Sequence, residues 1–167
     1  MAIHIHPVKI PPRYYKPIGE VAVGWNLTEA LLTSIVWHIQ KTKDPKLGRL
    51  LVYRVNAGEK LKILRASIRA FAKAAHKPAL TALVDRASQL KTKRNMIVHG
   101  WWGRMPNEHK TWKLFYHRDT NDMLLLKREV MDVSGLKAIA SQIDQLNHDM
   151  KKWMTQNSVP PDRKSVV

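Results

Sequence analysis

The chain has 167 residues, of which 44% are hydrophobic and 25% are charged, as expected of one ordinary globular domain. It contains no cysteine, which excludes disulfide bonds and thiolate metal sites, and no apolar run approaches the ~20 residues that span a membrane. Lysine and arginine number 29 against 13 aspartate and glutamate residues, so the net charge is +16 and a polyanion such as RNA is the expected partner.

The positive charge is concentrated in the middle of the chain. Residues 41–94 hold fifteen basic and three acidic side chains, which is +12 of the total of +16. A solvated basic surface or a surface for an acidic protein would have the same composition, so both stay open beside nucleic acid.

The two ends of the chain differ from its centre. Four prolines among the first seventeen residues predict an extended N-terminal arm over residues 1–18. The arm lacks the apolar core of a secretory signal, so we expect a cytoplasmic protein with no membrane association. Its His4 and His6 have no carboxylate or cysteine nearby, and we expect neither a metal site nor a cofactor. A flexible C-terminal tail is predicted over residues 157–167, which leaves a helical domain at residues 19–156.

Apolar residues at three- and four-residue steps predict four helices before Gly100. The first covers residues 19–40, and the second opens at Asp44–Pro45 and runs to Val55. The fourth opens at Pro78 and continues to His99. The third begins after a break at residues 56–58, and its apolar face comprises Leu61, Leu64, Ile68, Phe71 and Ala75.

The pattern changes after Gly100. Residues 111–118 and 123–130 have the length of strands and flank the turn-rich residues 119–122, which predicts a β-hairpin. A last helix starts near Asp132 or Ser134. The predicted fold is therefore mainly α, an up-and-down bundle of about five helices with one β-hairpin inserted before the last helix.

Arg94 interrupts the apolar stripe of the fourth helix. It occupies the position that would complete the series Leu80, Leu83, Ala87, Leu90 and Ile97. An unpaired buried charge costs several kcal/mol, so the guanidinium needs a partner. His99 lies on the last turn, where the long side chain of Arg94 can reach it, and Asn95 is one turn before His99. By spacing alone, a salt bridge to another helix or a favourable interaction with the helix dipole is the simpler interpretation.

The string from Arg94 to Gly100, RNMIVHG, resembles the signature of the HEPN superfamily, the higher-eukaryote and prokaryote nucleotide-binding domains. That signature is an arginine, commonly followed by a polar residue, and then a histidine after four to six intervening residues. Here four residues separate Arg94 from His99, and Asn95 is the polar follower. The string also ends a fourth helix that precedes a hairpin and a closing helix, as in small bacterial or phage members of the superfamily.

The resemblance implies a metal-independent endoribonuclease that acts as a homodimer with the Arg94/His99 motif at the interface. It assigns His99 to general acid–base work, Arg94 to the phosphate and Asn95 to orientation. The products would carry a 2′,3′-cyclic phosphate and a 5′-hydroxyl. The same resemblance suggests a toxin or defence component, with an antitoxin as a further partner.

Two alternatives to the enzyme remain open. The superfamily includes non-catalytic modules that bind nucleic acid, nucleotide or a partner protein. The motif could also be coincidental in a helical DNA- or RNA-binding protein.

Four residues beside the motif are candidate RNA contacts. Lys91 and Lys93 suit phosphates, although a solvated helix face would carry the same residues. Trp101 and Trp102 suit stacking on bases. Adjacent tryptophans after a helix more often place one ring in the core and the other at an interface.

Overall fold

The computed structural model describes residues 10–40, 55–103, 113–120 and 123–157, with the backbone alone for Trp101 and for residues 113–120 and 123–128. The predicted second helix, the His4/His6 pair and the predicted tail beyond residue 157 lie outside the described residues.

The described chain forms long helices and a small sheet. The helices are α1 (Pro12–Gln40), α2 (Ala57–Phe71), α3 (Lys77–His99) and α4 (Val133–Gln156), with a short 3-10 helix at Ala74–His76. The strands are β1 (Trp101–Gly103), β2 (Lys113–Thr120) and β3 (Met123–Val130).

The four long helices enclose one apolar core. Helices α1 and α3 each pack against α2 and α4, and they also pack against each other. Each helix contributes fully buried side chains, among them Trp25, Leu32, Ile35, Leu64, Leu80, Ile97, Leu136 and Ile143. The predicted mainly α fold is confirmed.

The predicted hairpin is also confirmed, between α3 and α4. Strands β2 and β3 pair antiparallel from Lys113↔Val130 to Thr120↔Met123. Strand β1 adds to the other edge of β2, with Trp101 opposite Phe115, and makes a three-stranded sheet in the order β1-β2-β3. The sequence did not predict β1, because three residues are too few for a period-2 pattern to show.

The N-terminal boundary was predicted wrongly. Helix α1 begins at Pro12, so residues 12–18 are helical and not part of an extended arm. Proline is tolerated in the first turn, where its missing N–H would have no helical partner. Pro17 lies inside the helix and is buried, as is Tyr14. Packing of this turn against the rest of the molecule therefore offsets the hydrogen bond that Pro17 cannot donate.

The third predicted helix is shorter than its sequence pattern. Leu61, Leu64 and Ile68 are buried as predicted, but α2 ends at Phe71, which is 63% exposed. Ala72 takes an extended conformation with φ −72° and ψ 141°, so the helical phase is lost and Ala75 falls in the separate 3-10 helix.

A buried polar cluster joins α1 to α4. The hydroxyl of Thr28 donates to Asn147 Oδ1 at 2.7 Å, and Asn147 Nδ2 donates to the carbonyl oxygen of Gly24 at 2.9 Å. The helices are close here, because a Cβ at Gly24 would lie 3.1 Å from Ile143 Cγ2. Since buried polar groups are costly unless they are paired, this cluster specifies how the two helices align.

Helix α4 begins after Asp132, as predicted. The Asp132 carboxylate accepts a hydrogen bond from the Gly135 N–H at 2.7 Å and one from the Ser134 hydroxyl at 2.8 Å. The Gly135 hydrogen bond and then that of Ser134 lower the pKa of Asp132 below its ordinary value of 3.8. Asp132 is the N-cap of the helix that closes the bundle.

We expect Asp132→Asn to make the stability of the protein depend less on pH under acid conditions. Because the pKa of Asp132 is lowered in the folded state, its ionised form stabilises the fold above the pKa of the unfolded chain. That contribution is lost as the pH falls through the lower folded pKa. An asparagine caps nearly as well and does not titrate. Thermal denaturation at neutral pH should thus give similar midpoints for both proteins, and midpoints between about pH 2 and 5 should fall less steeply for the variant. If the melting midpoints of the two proteins fall equally steeply as the pH is lowered, this prediction is wrong.

Candidate functional site

The apolar stripe of α3 leads to the motif at its C-terminal end. Leu80, Leu83, Ala87, Leu90 and Ile97 are all buried, as the stripe predicts. Arg94, in the same stripe, is only half-buried. Its Nε atom is buried without a hydrogen-bond partner in the described part of the chain. The stem of Arg94 thus passes along the core while its terminal nitrogens reach the surface.

The structure places the three residues of the motif in mutual contact. Arg94 Nη1 lies 3.0 Å from Asn95 Oδ1 and 3.1 Å from His99 Nε2. A guanidinium can only donate, so Nε2 of His99 is the acceptor and the proton of the neutral ring is on Nδ1 in this arrangement. Asn95 fixes the guanidinium and the guanidinium orients the imidazole.

Two of the three motif residues are open to solvent. Asn95 and His99 are exposed, so a ligand can reach them from solvent. The ion pairs among the described residues do not include Arg94, so the salt bridge to another helix that spacing alone favoured is not seen there. Its described partners are instead an amide and an imidazole, neither of which carries a negative charge, so the positive charge of Arg94 is available to an anion.

Trp102 holds the last turn of α3 in place. Gly100 follows the helix as predicted, with φ −76° and ψ 161°, so the chain extends directly into β1. The indole N–H of Trp102 then donates to the carbonyl oxygen of Ile97 at 3.1 Å. Its ring packs edge-on against Tyr14 of α1, with 5.8 Å between ring centroids. Trp102 is therefore the ring that packs on the core, and its role in RNA binding stays a prediction.

Of the other predicted RNA contacts, the two lysines lie on different sides of α3. Lys93 is exposed, and its Nζ donates to Gln142 Oε1 on α4 at 3.3 Å. Lys91 Nζ lies beside the start of α2, 3.2 Å from where a Cβ of Gly58 would be. Trp101 pairs through its backbone in β1, and its side chain lies outside the description. The two lysines thus flank the motif, and neither belongs to the contact between Arg94 and His99.

Two features near the motif were missed in the sequence. Tyr14 supports Trp102, and the guanidinium of Arg13 lies 5.6 Å from the Tyr14 ring centroid. No sequence signal indicated this, because the prolines around Tyr14 pointed to an extended arm. The second feature is a groove of about 250 Å³ between α3 and α4, which is lined by Arg86, Gln89, Leu90, Lys93, Gln142 and Gln145. The spacing of its four α3 residues is that of one helix face, a signal that was available.

Comparison with known protein families, with curated proteins and with solved structures finds no match to this chain. Over the residues that the structure describes, no three histidine, aspartate or glutamate side chains cluster as ligands of a metal ion would. In the same residues no helix is both long enough and apolar enough to cross a membrane. The geometry of the motif and the charge of the chain are therefore the features that indicate a function.

Proposed function

We propose that the protein is a metal-independent endoribonuclease of the HEPN type, with Arg94 and His99 as its catalytic residues. The observation that carries the proposal is the contact of Arg94 Nη1 with both Asn95 Oδ1 and His99 Nε2 at an exposed helix end. A cation, an acid–base group and a polar positioning group within one contact are what RNA cleavage requires.

The reaction needs no external nucleophile, because RNA carries a 2′-hydroxyl beside each phosphodiester. A base takes the proton of that hydroxyl, the 2′-oxygen forms a bond to phosphorus, and the bond from phosphorus to the 5′-oxygen breaks. The departing 5′-oxygen takes up a proton, which gives a 2′,3′-cyclic phosphate and a 5′-hydroxyl. His99 serves as an acid–base group, and the fork of Arg94 binds the phosphate oxygens, where negative charge increases in the transition state.

The contact between Arg94 and His99 describes the state without substrate. Nε2 of His99 is the basic nitrogen, and Arg94 covers it. When a phosphate draws the guanidinium toward itself, Nε2 becomes free to take a proton from the 2′-hydroxyl. Asn95 holds Arg94 near this position through its side-chain oxygen. Catalytic hydrogen bonds commonly rearrange in this way when substrate binds.

The proposed enzyme is a homodimer. A second copy with its own Arg94 and His99 across a two-fold axis would supply a second imidazole, so that one ring takes the proton and the other gives one. The net charge of +16 supports RNA as the substrate. The proposed setting is a cytoplasmic toxin or defence component that an antitoxin holds in check.

The test is an RNA cleavage assay in the presence of EDTA. We expect cleavage of single-stranded RNA, with 2′,3′-cyclic phosphate ends identified by mass spectrometry. A substrate with a 2′-deoxy nucleotide at the cleaved position should stay intact, because the nucleophile is missing. If diverse RNAs are bound but remain whole at high protein concentration, the enzyme is refuted and the non-catalytic binding module takes its place.

A further inference from the structure

The groove between α3 and α4 has walls of an unusual composition. Residues 86, 89, 90 and 93 of α3 form one wall at steps of 3, 1 and 3, and Gln142 and Gln145 of α4 form the other. Leu90 is 5% exposed and supplies an apolar floor. The walls thus combine two cations with three side-chain amides, which are flat groups that both donate and accept hydrogen bonds.

An ion pair between the helices fixes one end of the groove. Arg86 Nη1 donates to Asp149 Oδ2 at 2.6 Å, and Gln145 Nε2 donates to Asp149 Oδ1 at 2.9 Å. The Arg86 hydrogen bond lowers the pKa of Asp149, so the pair stays ionised well below neutral pH. The guanidinium is therefore anchored to α4 through Nη1 while its side chain stays 42% exposed. A guanidinium plane is a surface on which an unpaired base stacks.

Gln89 provides a free amide beside that plane. It is exposed and makes no hydrogen bond to any other described residue. One donor and one acceptor on the same amide can pair with the edge of an unpaired base, because every base presents a donor next to an acceptor.

Lys93 joins the groove to the motif. Its ammonium lies at the groove wall, 3.3 Å from Gln142 Oε1, and the next residue along the chain is Arg94. A strand whose base occupies the groove would therefore place a phosphate near Lys93 and continue toward Arg94. The groove volume of about 250 Å³ lies just below the ~300–1,000 Å³ of sites for drug-sized molecules, which fits a single base.

We propose that this groove binds one unpaired base of single-stranded RNA, with Gln89 pairing with its edge, Arg86 stacking on its face and Lys93 holding a phosphate of the same strand. The proposal depends on the proposed function for RNA as the ligand and for the direction of the strand. It does not depend on cleavage.

The experiment measures binding in the His99→Ala background by fluorescence anisotropy. The probes are labelled oligo(A), oligo(C) and oligo(U) of about ten nucleotides and an RNA duplex of the same length. The parent should bind the three single strands more tightly than the duplex, and Gln89→Ala should weaken single-strand binding about tenfold while leaving duplex binding unchanged. Gln156→Ala, which replaces an exposed glutamine of α4 outside the groove, is the matched control and should change nothing. Lys93→Gln should weaken all three single strands equally and reduce the slope of log affinity against log salt by about 0.7.

The outcomes separate the groove from the enzyme. Equal behaviour of Gln89→Ala and Gln156→Ala with every probe, or a salt slope that Lys93→Gln leaves unchanged, overturns the groove even if the wild type cleaves RNA. A loss of single-strand binding in Gln89→Ala, with duplex binding retained, supports the groove even if the wild type cleaves nothing. Failure of the parent to bind any of the three single strands overturns both proposals.

Discussion

Replacing His99 by alanine should lower the rate of RNA cleavage by about 10²–10⁴-fold, which is the usual contribution of a general acid–base group. The expectation follows from the position of Nε2, which is the nitrogen that accepts from Arg94 and has no other described partner. Arg94→Ala should cost about 10²–10³-fold, because the phosphate loses its charged donor. Arg94→Lys should recover little of this, since an ammonium cannot contact Asn95, His99 and phosphate as a fork does. Initial rates on a labelled RNA, with EDTA present, measure all three effects.

The controls separate catalysis from folding. His99 is exposed, so its removal should leave the free energy of unfolding within about 0.5 kcal/mol of the wild type. His148 is an exposed histidine of α4, and His148→Ala should cleave at the wild-type rate. If His99→Ala keeps full activity, another residue is the acid–base group or a contaminant cleaves the RNA. A His148→Ala protein as impaired as His99→Ala would show that loss of any histidine affects the assay.

The fold was largely predictable because its helices bury one stripe each. The stripes of α3 and α4 each extend over about five turns, and their apolar residues are the buried ones. The start of α1 was not predictable in the same way. Pro12 and Pro17 favour an extended chain locally, and the helix there depends on packing between parts of the chain far apart in sequence, such as Tyr14 with Trp102. A local pattern contains no information about such contacts.

The contacts of the motif were only partly predictable. Arg94 and His99 are five residues apart, about 140° around the helix, so their contact depends on the length of the arginine side chain and not on a shared face. Spacing allowed the contact, but it allowed a salt bridge as well. The hydrogen bond from Trp102 to Ile97 depends on the direction of the chain after Gly100. That direction is set by pairing of β1 with β2, which the sequence pattern did not indicate.

The second large effect should come from Asn147, and it concerns the stability of the fold and not the motif. Asn147→Ala should lower the free energy of unfolding by about 2–4 kcal/mol, because it removes the acceptor of the Thr28 hydroxyl and leaves a cavity between α1 and α4. Thr28 is 0% and Asn147 2% exposed, so water cannot replace the lost hydrogen bonds without entering the core. For a domain of this size the melting temperature should fall by roughly 6–12 °C. Asn26→Ala, an exposed position of α1, should stay within about 0.5 kcal/mol of the wild type.

A double-mutant cycle identifies the cause of that loss. Thr28→Val alone leaves Asn147 with an unused buried oxygen, so it should be destabilising as well. Replacing both partners by apolar residues, Thr28→Val with Asn147→Leu, removes the donor and the acceptor together, and Asn147→Leu alone is the second single variant of the cycle. The double variant should therefore lose less than the two single losses combined, with a coupling of about 1–2 kcal/mol. If the two single losses of unfolding free energy, measured by urea denaturation, add up to the loss of the double variant, Asn147 acts through its volume and not through the hydrogen bond. A coupling of this size would show that the hydrogen bond itself, which aligns α1 with α4, contributes to the stability of the fold.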